Sequence, residues 1–143
     1  MAARTGSAEW KGDLKGGAGT VRVGDGVFEG DYSFASRFED GEGTNPEELI
    51  AGAHAACYSM ALSGALAADG HVPDSVSTTA KVHLRNIDGA PTIARIDLET
   101  EGVVPGIDAA QFQSYADQAK AGCPVSRALA GVPEIVLSAR LAG

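Results

Sequence analysis

Apolar positions recur with helical spacing over one long stretch near the middle of the chain and with strand spacing on either side of it. From Pro46 to about Ala68, Leu49, Ile50, Ala53, Ala56, Cys57, Met60, Ala61 and Gly64 return every three or four residues, the period of one helix face. The other positions there are themselves mostly Ala, Gly, Ser and Leu. The segment therefore predicts a helix buried on more than one face, about 35 Å long at ~1.5 Å per residue. Its start is well signalled: Asn45 can cap the free amides, Pro46 has no N–H to waste at the first helical position, and Glu47 and Glu48 lie against the positive end of the helix dipole. Asp69-Gly70 ends it.

Residues 75–104 alternate instead. Val76, Thr78, Ala80, Val82 and Leu84 share one face of a strand, and after an Asp88-Gly89 turn Ile96 and Leu98 do the same in a second. Asp108 can cap another helix with Phe112, Tyr115, Ala116 and Ala119 on one side. Gly122 closes that helix, and Cys123-Pro124 opens a short further one. Glu134–Leu141 reads as a last strand. Before the long helix, Glu9–Lys11, Thr20–Val23 and Val27–Glu29 are short β-prone pieces set apart by Gly and Asp, the pattern of a meander, and residues 36–43 read as an acidic, glycine-bearing loop. This order predicts an α+β fold in which hairpins outnumber βαβ crossovers. With no linker or repeat, residues 1–143 read as a single domain.

Composition narrows the function. Eleven Lys and Arg against nineteen Asp and Glu give a net charge of −8, which repels phosphate backbones and anionic lipid, so neither nucleic acid nor a membrane surface is an expected partner. The N-terminal residues lack the apolar core of a signal peptide, and no stretch reads as the ~18 consecutive apolar residues of a membrane span; the expected location is the cytoplasm. Two cysteines are too few for a disulfide-stapled scaffold or a four-thiolate zinc site, but enough for a redox pair.

The two cysteines differ in setting. Cys123, at a helix start with Arg127 one turn on, has the electrostatics that favour a thiolate, and local sequence alone selects it as the nucleophile. Cys57 lies mid-helix on an apolar stripe, where burial would raise its pKa unless Arg37 or Arg127 comes near. Two other uses of the same atoms stay open: a zinc site of His54, Cys57 and Cys123 with His71 or His83, and a Cys-His hydrolase pair using His54.

The run from Ser36 through Arg37-Phe38-Glu39-Asp40-Gly41-Glu42-Gly43-Thr44-Asn45-Pro46-Glu47-Glu48 into Ala53-His54-Ala55-Ala56-Cys57-Tyr58-Ser59-Met60 resembles the signature of the OsmC/Ohr family of thiol-dependent peroxidases, on its OsmC branch. Trp10-Lys11-Gly12-Asp13, Val104-Pro105-Gly106-Ile107-Asp108-Ala109 and Ala119-Lys120-Ala121-Gly122-Cys123-Pro124-Val125-Ser126 extend the resemblance over nearly the whole chain. It implies an OsmC-like fold with an N-terminal meander, a long central buried helix, further antiparallel strands and a second helix, in an intertwined homodimer. It also implies reduction of organic hydroperoxides and of hydrogen peroxide, without a cofactor or metal, at the expense of a thiol reductant such as a dihydrolipoyl group.

Carried over by position, Cys57 becomes the peroxidatic cysteine and Cys123 the resolving one, with Arg37 and Glu47 orienting and activating the thiolate. This reverses the choice made on local grounds. Phe34, Phe38, Tyr58 and Met60 are candidate walls for an alkyl chain. The alternative on the same fold is a non-catalytic protein that binds a small molecule or zinc. Spacing adds one constraint: ten residues separate Glu47 from Cys57, about 15 Å along one continuous helix, beyond hydrogen-bond reach. Either Arg37 bridges the gap, or the helix is interrupted, or Glu47 serves Cys57 of the other subunit; the last is the expectation.

Overall fold

Gly-Asp turns cut the first 32 residues into three strands, β1 (Gly6–Lys11), β2 (Ala18–Val23) and β3 (Phe28–Tyr32), paired antiparallel in that order. In the computed structural model, which describes residues 1–142, they belong to the first of two compact units, Met1–Leu49; the second is Ile50–Gly143. A short helix, α1 (Phe34–Phe38), follows the meander, so the first three residues of the predicted loop are helical. The signal is a capping box of two serines: the Ser36 N–H donates to Ser33 Oγ (3.0 Å), and the Ser33 N–H to Ser36 Oγ (2.8 Å). Such a box has no hydrophobic period to betray it. The Ser36 hydroxyl also donates to the Thr44 carbonyl (2.7 Å), which ties down the rest of the loop.

Helix α2 (Pro46–Ala68) opens as predicted, with Asn45 Oδ1 accepting from the Glu48 N–H at 2.8 Å. In the second unit its remainder packs with a sheet of β4 (Ser75–Ile87), β5 (Ala90–Val103) and β6 (Glu134–Leu141), in that order. Asp88 and Gly89, both at positive φ (52° and 82°), make the two-residue turn that joins β4 to β5. β6 runs parallel to β5, not antiparallel as the resemblance implied. Between them α3 (Ala109–Gly122) and α4 (Pro124–Ala128) carry the chain back across the sheet, which is what a parallel pairing requires.

The core joins Tyr58, Leu62 and Leu66 of α2 to Ile96 and Leu98 of β5 and Phe112 of α3. Burying each such side chain contributes ~1.5–3 kcal/mol. Phe112 lies directly over Gly102, where a Cβ would collide with its ring. Ser59 of α2 donates to Thr78 Oγ1 (2.8 Å), itself 3.0 Å from Thr100 Oγ1, so hydroxyls cross the sheet beside the apolar face.

Two expectations about α2 change. Its buried face is His54–Tyr58–Leu62–Leu66, whereas Gly52, Ala53, Ala56, Met60 and Gly64 are exposed, Met60 by 76 %. Within one chain the helix is thus buried on one face only, because the small residues read as a second packing face meet nothing there. By length and composition α2 also passes as a membrane span, contrary to the sequence expectation, yet it is the core helix of a folded unit, with His54 fully buried.

Candidate active site

Arg37, in the last turn of α1, and Glu47, in the first turn of α2, face each other within the first unit. Arg37 Nη2 lies 2.8 Å from Glu47 Oε1, and Nε lies 3.2 and 3.3 Å from the two carboxylate oxygens. The guanidinium is held through two nitrogens along one edge, a geometry lysine lacks. Glu47 is buried, and Arg37 keeps about a third of its side chain in solvent (36 %). Beside the guanidinium, Trp10, Leu14, Tyr32, Phe34 and Phe38 line a cavity of about 190 Å³. The Phe34 and Phe38 rings are 4.9 Å apart, and the guanidinium carbon stands 5.3 Å from the Phe38 centroid. Of the four expected wall residues, Phe34 and Phe38 are therefore in place. Tyr58 is a core residue whose hydroxyl donates to the Ala116 carbonyl (2.9 Å), and Met60 lies on the exposed face of α2. Sequence reasoning missed Trp10, Leu14 and Tyr32, which come from strands and a turn with no spacing relation to Arg37.

In the second unit the two cysteines, 66 residues apart, meet. Their sulfurs are 3.0 Å apart, both as free thiols. Cys123 ends α3 and begins α4, and its sulfur is fully buried, while Cys57 is partly exposed. Burial pushes the Cys57 thiol up, and the contact with the Cys123 sulfur raises it further, against a smaller opposing pull from the Val125 amide. Burial acts the same way on Cys123. There it is outweighed by the Cys57 thiol, the amides of Ser126 and Val125 and the Ser126 hydroxyl, which together hold it below the usual thiol range. The Cys123 side chain makes no capping hydrogen bond at the start of α4, so these groups favour charge on the sulfur by proximity. Arg127 is exposed, so the cation expected beside Cys123 is replaced by dipoles.

His54 is fully buried and its Nε2 lies 2.7 Å from Ser126 Oγ. Sequence reasoning weighed His54 only as a ligand, a base for cysteine or a packed residue, and missed Ser126. The available signal was the Cys-Pro-Val-Ser spacing, which returns Ser126 to the side of Cys123 at the start of α4. The zinc alternative is not assembled. His83 pairs with Asp97 at 2.6 Å, His71 stands edge-on to Tyr115, and among the described residues no three His, Cys, Asp or Glu converge on a metal position.

A dithiol in contact at a helix junction, on an α+β scaffold with a long core helix, defines a class of small cysteine-based redox proteins. Comparison with known proteins makes the class specific. The family model described as OsmC-like protein matches residues 39–138, and the chain belongs to the OsmC family. It is 51% identical over 127 residues to Peroxiredoxin OsmC of Escherichia coli, covering 88% of this chain and 89% of that protein. It is 36% identical over 99 residues to the Organic hydroperoxide resistance protein of Xanthomonas axonopodis pv. citri, 68% of each. The crystal structure of the Organic Hydroperoxide Resistance Protein OhrB of Bacillus subtilis superposes with a TM-score of 0.72 at 25% identity, covering 96% of this chain and 98% of that one.

Proposed function

We propose that this protein is a thiol peroxidase that reduces organic hydroperoxides, and hydrogen peroxide with them, using Cys57 to attack and Cys123 to resolve. The observation that carries the reading is the contact of two free thiols, 3.0 Å apart, in a chain half identical to a peroxiredoxin. The Cys57 thiolate attacks the distal oxygen of ROOH, the O–O bond breaks, and the alkoxide leaves as ROH with one proton. Cys57 is left as a sulfenic acid. Cys123 then attacks the Cys57 sulfur: an S–S bond forms, the S–O bond breaks, and the hydroxide leaves as water with the proton Cys123 gives up. A dithiol such as a dihydrolipoyl group returns the disulfide to two thiols. Partial exposure of Cys57 and full burial of Cys123 support this division of labour, because a peroxide can reach only the former.

Arg37 is the fixed cation in the scheme. Its fork, held by Glu47, stabilises charge on Cys57 and polarises the peroxide, while the neighbouring aromatic cavity accommodates an alkyl group. Since α2 is unbroken from Pro46 to Ala68, an interruption cannot bring Glu47 toward Cys57. We assign the Arg37–Glu47 pair to Cys57 of a second subunit, in an intertwined homodimer whose contact includes the exposed Gly52–Ala53–Ala56–Met60 face of α2. The family match runs across both units, which supports treating 1–143 as one OsmC-like domain. A reducing cytoplasm suits a dithiol that must return to the reduced form every cycle.

Mass spectrometry after one equivalent of an organic hydroperoxide tests the roles together. The expected product is a Cys57–Cys123 disulfide within one chain. Cys57→Ser should abolish peroxide consumption, and Cys123→Ser should allow one turnover followed by over-oxidation of Cys57. Full turnover by Cys57→Ser would overturn the reading.

A further inference from the structure

We propose that Cys57 and Cys123 together form a chelating site for monosubstituted trivalent arsenicals, in which one arsenic atom bonds to both sulfurs and keeps its organic group as third substituent. The donors are already assembled: both residues are free thiols, and their sulfurs stand 3.0 Å apart. The chelate does not depend on which sulfur meets peroxide; it requires both to be reduced and in contact.

The spacing of the pair selects the ligand. A disulfide holds its sulfurs ~2.05 Å apart, so the two are unbonded and open to a bridging atom. A tetrahedral zinc ion, with bonds of ~2.3 Å, spreads two thiolates to ~3.8 Å. An ion that binds two thiolates in line at the same bond length needs ~4.6 Å between them. Pyramidal arsenic(III) makes its bonds near a right angle, so at a similar bond length its two sulfurs lie ~3.2 Å apart, close to the separation in this protein. Coordination number points the same way. Zinc takes four donors, and among the described residues no three His, Cys, Asp or Glu side chains converge. His54, three residues from Cys57, has its Nε2 engaged 2.7 Å from Ser126 Oγ. An arsenical with one organic group needs only two thiolates, because carbon fills its third position, and thiolate is the ligand a soft centre prefers.

Cys57 is partly exposed and Cys123 fully buried, so the arsenical meets Cys57 first and Cys123 closes the chelate from within. Cys123 and its neighbours Tyr58, Leu62, Phe112 and Ala119 form one core, so the second sulfur is held in place before the ligand arrives. With phenylarsine oxide, two As–S bonds form and the arsenic–oxygen bond is lost. The oxygen leaves with the two thiol protons as one water. Arsenic stays trivalent and both sulfurs stay at the thiol oxidation level, so no oxidant or reductant is consumed. The bound arsenical leaves no thiol for a hydroperoxide, and the same event blocks the proposed cycle.

The reduced full-length protein is treated with one equivalent of phenylarsine oxide, passed through gel filtration and read by native mass spectrometry. One adduct per chain is expected, with a mass increase equal to the arsenical less one water. Both cysteines of the wild-type chain should become protected from iodoacetamide, a measurement that needs no variant. Two linked bonds strengthen binding ~100-fold or more over one, so Cys57→Ser and Cys123→Ser should each lose the adduct on gel filtration. Dimercaptopropanol should release the arsenical, and glutathione at the same thiol concentration should not. Inorganic arsenite, which lacks the organic third substituent, and zinc should both wash out. Labelling of either wild-type cysteine in the adduct, an adduct that survives in either serine variant, or zinc or arsenite held as firmly as phenylarsine oxide would each overturn the proposal. A chain that captures the arsenical as expected yet consumes no hydroperoxide would sink the peroxidase reading and leave the chelating site standing.

Discussion

Replacing Arg37 by methionine removes a charged fork from a carboxyl that the fold has already buried. Glu47 accepts from Nη2 at 2.8 Å and from Nε at 3.2–3.3 Å, and its side chain is only 9 % exposed. Stripping one partner from a fully buried pair costs ~3–5 kcal/mol. Here the guanidinium is a third exposed and water can enter the space it leaves, which lowers the expected cost to about 2 kcal/mol. Glu47→Gln keeps one acceptor for the fork and should cost about 1 kcal/mol, and the double variant, which leaves neither charge unmatched, about the same. The cycle therefore predicts a coupling energy of about 2 kcal/mol, measured by urea unfolding of all four proteins at one pH and one protein concentration. In the peroxidase assay Arg37→Met should lose about 100-fold in kcat/KM, the scale of one lost charge-stabilising donor. Arg37→Lys should recover stability better than activity, because it restores the charge without the fork. A coupling below about 0.5 kcal/mol would reduce the pair to an ordinary surface contact. Activity of Arg37→Met within threefold of wild type would remove the cation from the proposed chemistry.

The remaining predictions concern the second unit. Met60→Lys should convert the proposed dimer into monomers in sedimentation velocity, since each subunit would then have to bury an ammonium group where a thioether lies now; a wild-type chain that already sediments as a monomer refutes the assignment of that face. Gly102→Ala should destabilise by about 1–3 kcal/mol in urea unfolding, because Phe112 occupies the Cβ position, and an effect under about 0.5 kcal/mol would show that the ring moves freely. Burial lowers the His54 pKa from its ordinary 6.5, so the unfolded chain takes up that proton first; stability should be complete above pH 6.5 and fall as pH drops below it. His54→Gln should flatten that slope by at most about 1.4 kcal/mol per pH unit, and an unchanged slope would mean that His54 protonates in place.

Much of this architecture was written in local patterns. Asn45-Pro46-Glu47-Glu48 sets the start of α2 through the chemistry of unpaired amides, and Asp88-Gly89 supplies the positive φ values that a tight hairpin needs. Alternation in β4 and β5 gives the buried face directly. The parallel placement of β6 was not legible, because Ile135, Leu137 and Ala139 alternate identically whichever way the strand runs. Helix α1 escaped because Ser33 and Ser36 hold it by hydrogen bonds without an apolar stripe. The apolar face of α2 was misplaced because alanine and glycine are equally compatible with a core and with an uncovered surface. At the site, Cys57 and Cys123 were found as residues, but their meeting across 66 positions and the His54–Ser126 contact are tertiary facts with no sequence period.

The distance along the chain between the two thiols has a consequence for chain entropy. Joining Cys57 to Cys123 closes a loop that contains the end of α2, all of β4 and β5, and α3, which is much of the second unit. Cross-linking a loop of that length restricts the unfolded ensemble by about 4 kcal/mol at 25 °C on the chain-entropy model. In the proposed cycle the polypeptide is thus alternately tethered and released, and it resists unfolding most while it waits, oxidised, for its reductant.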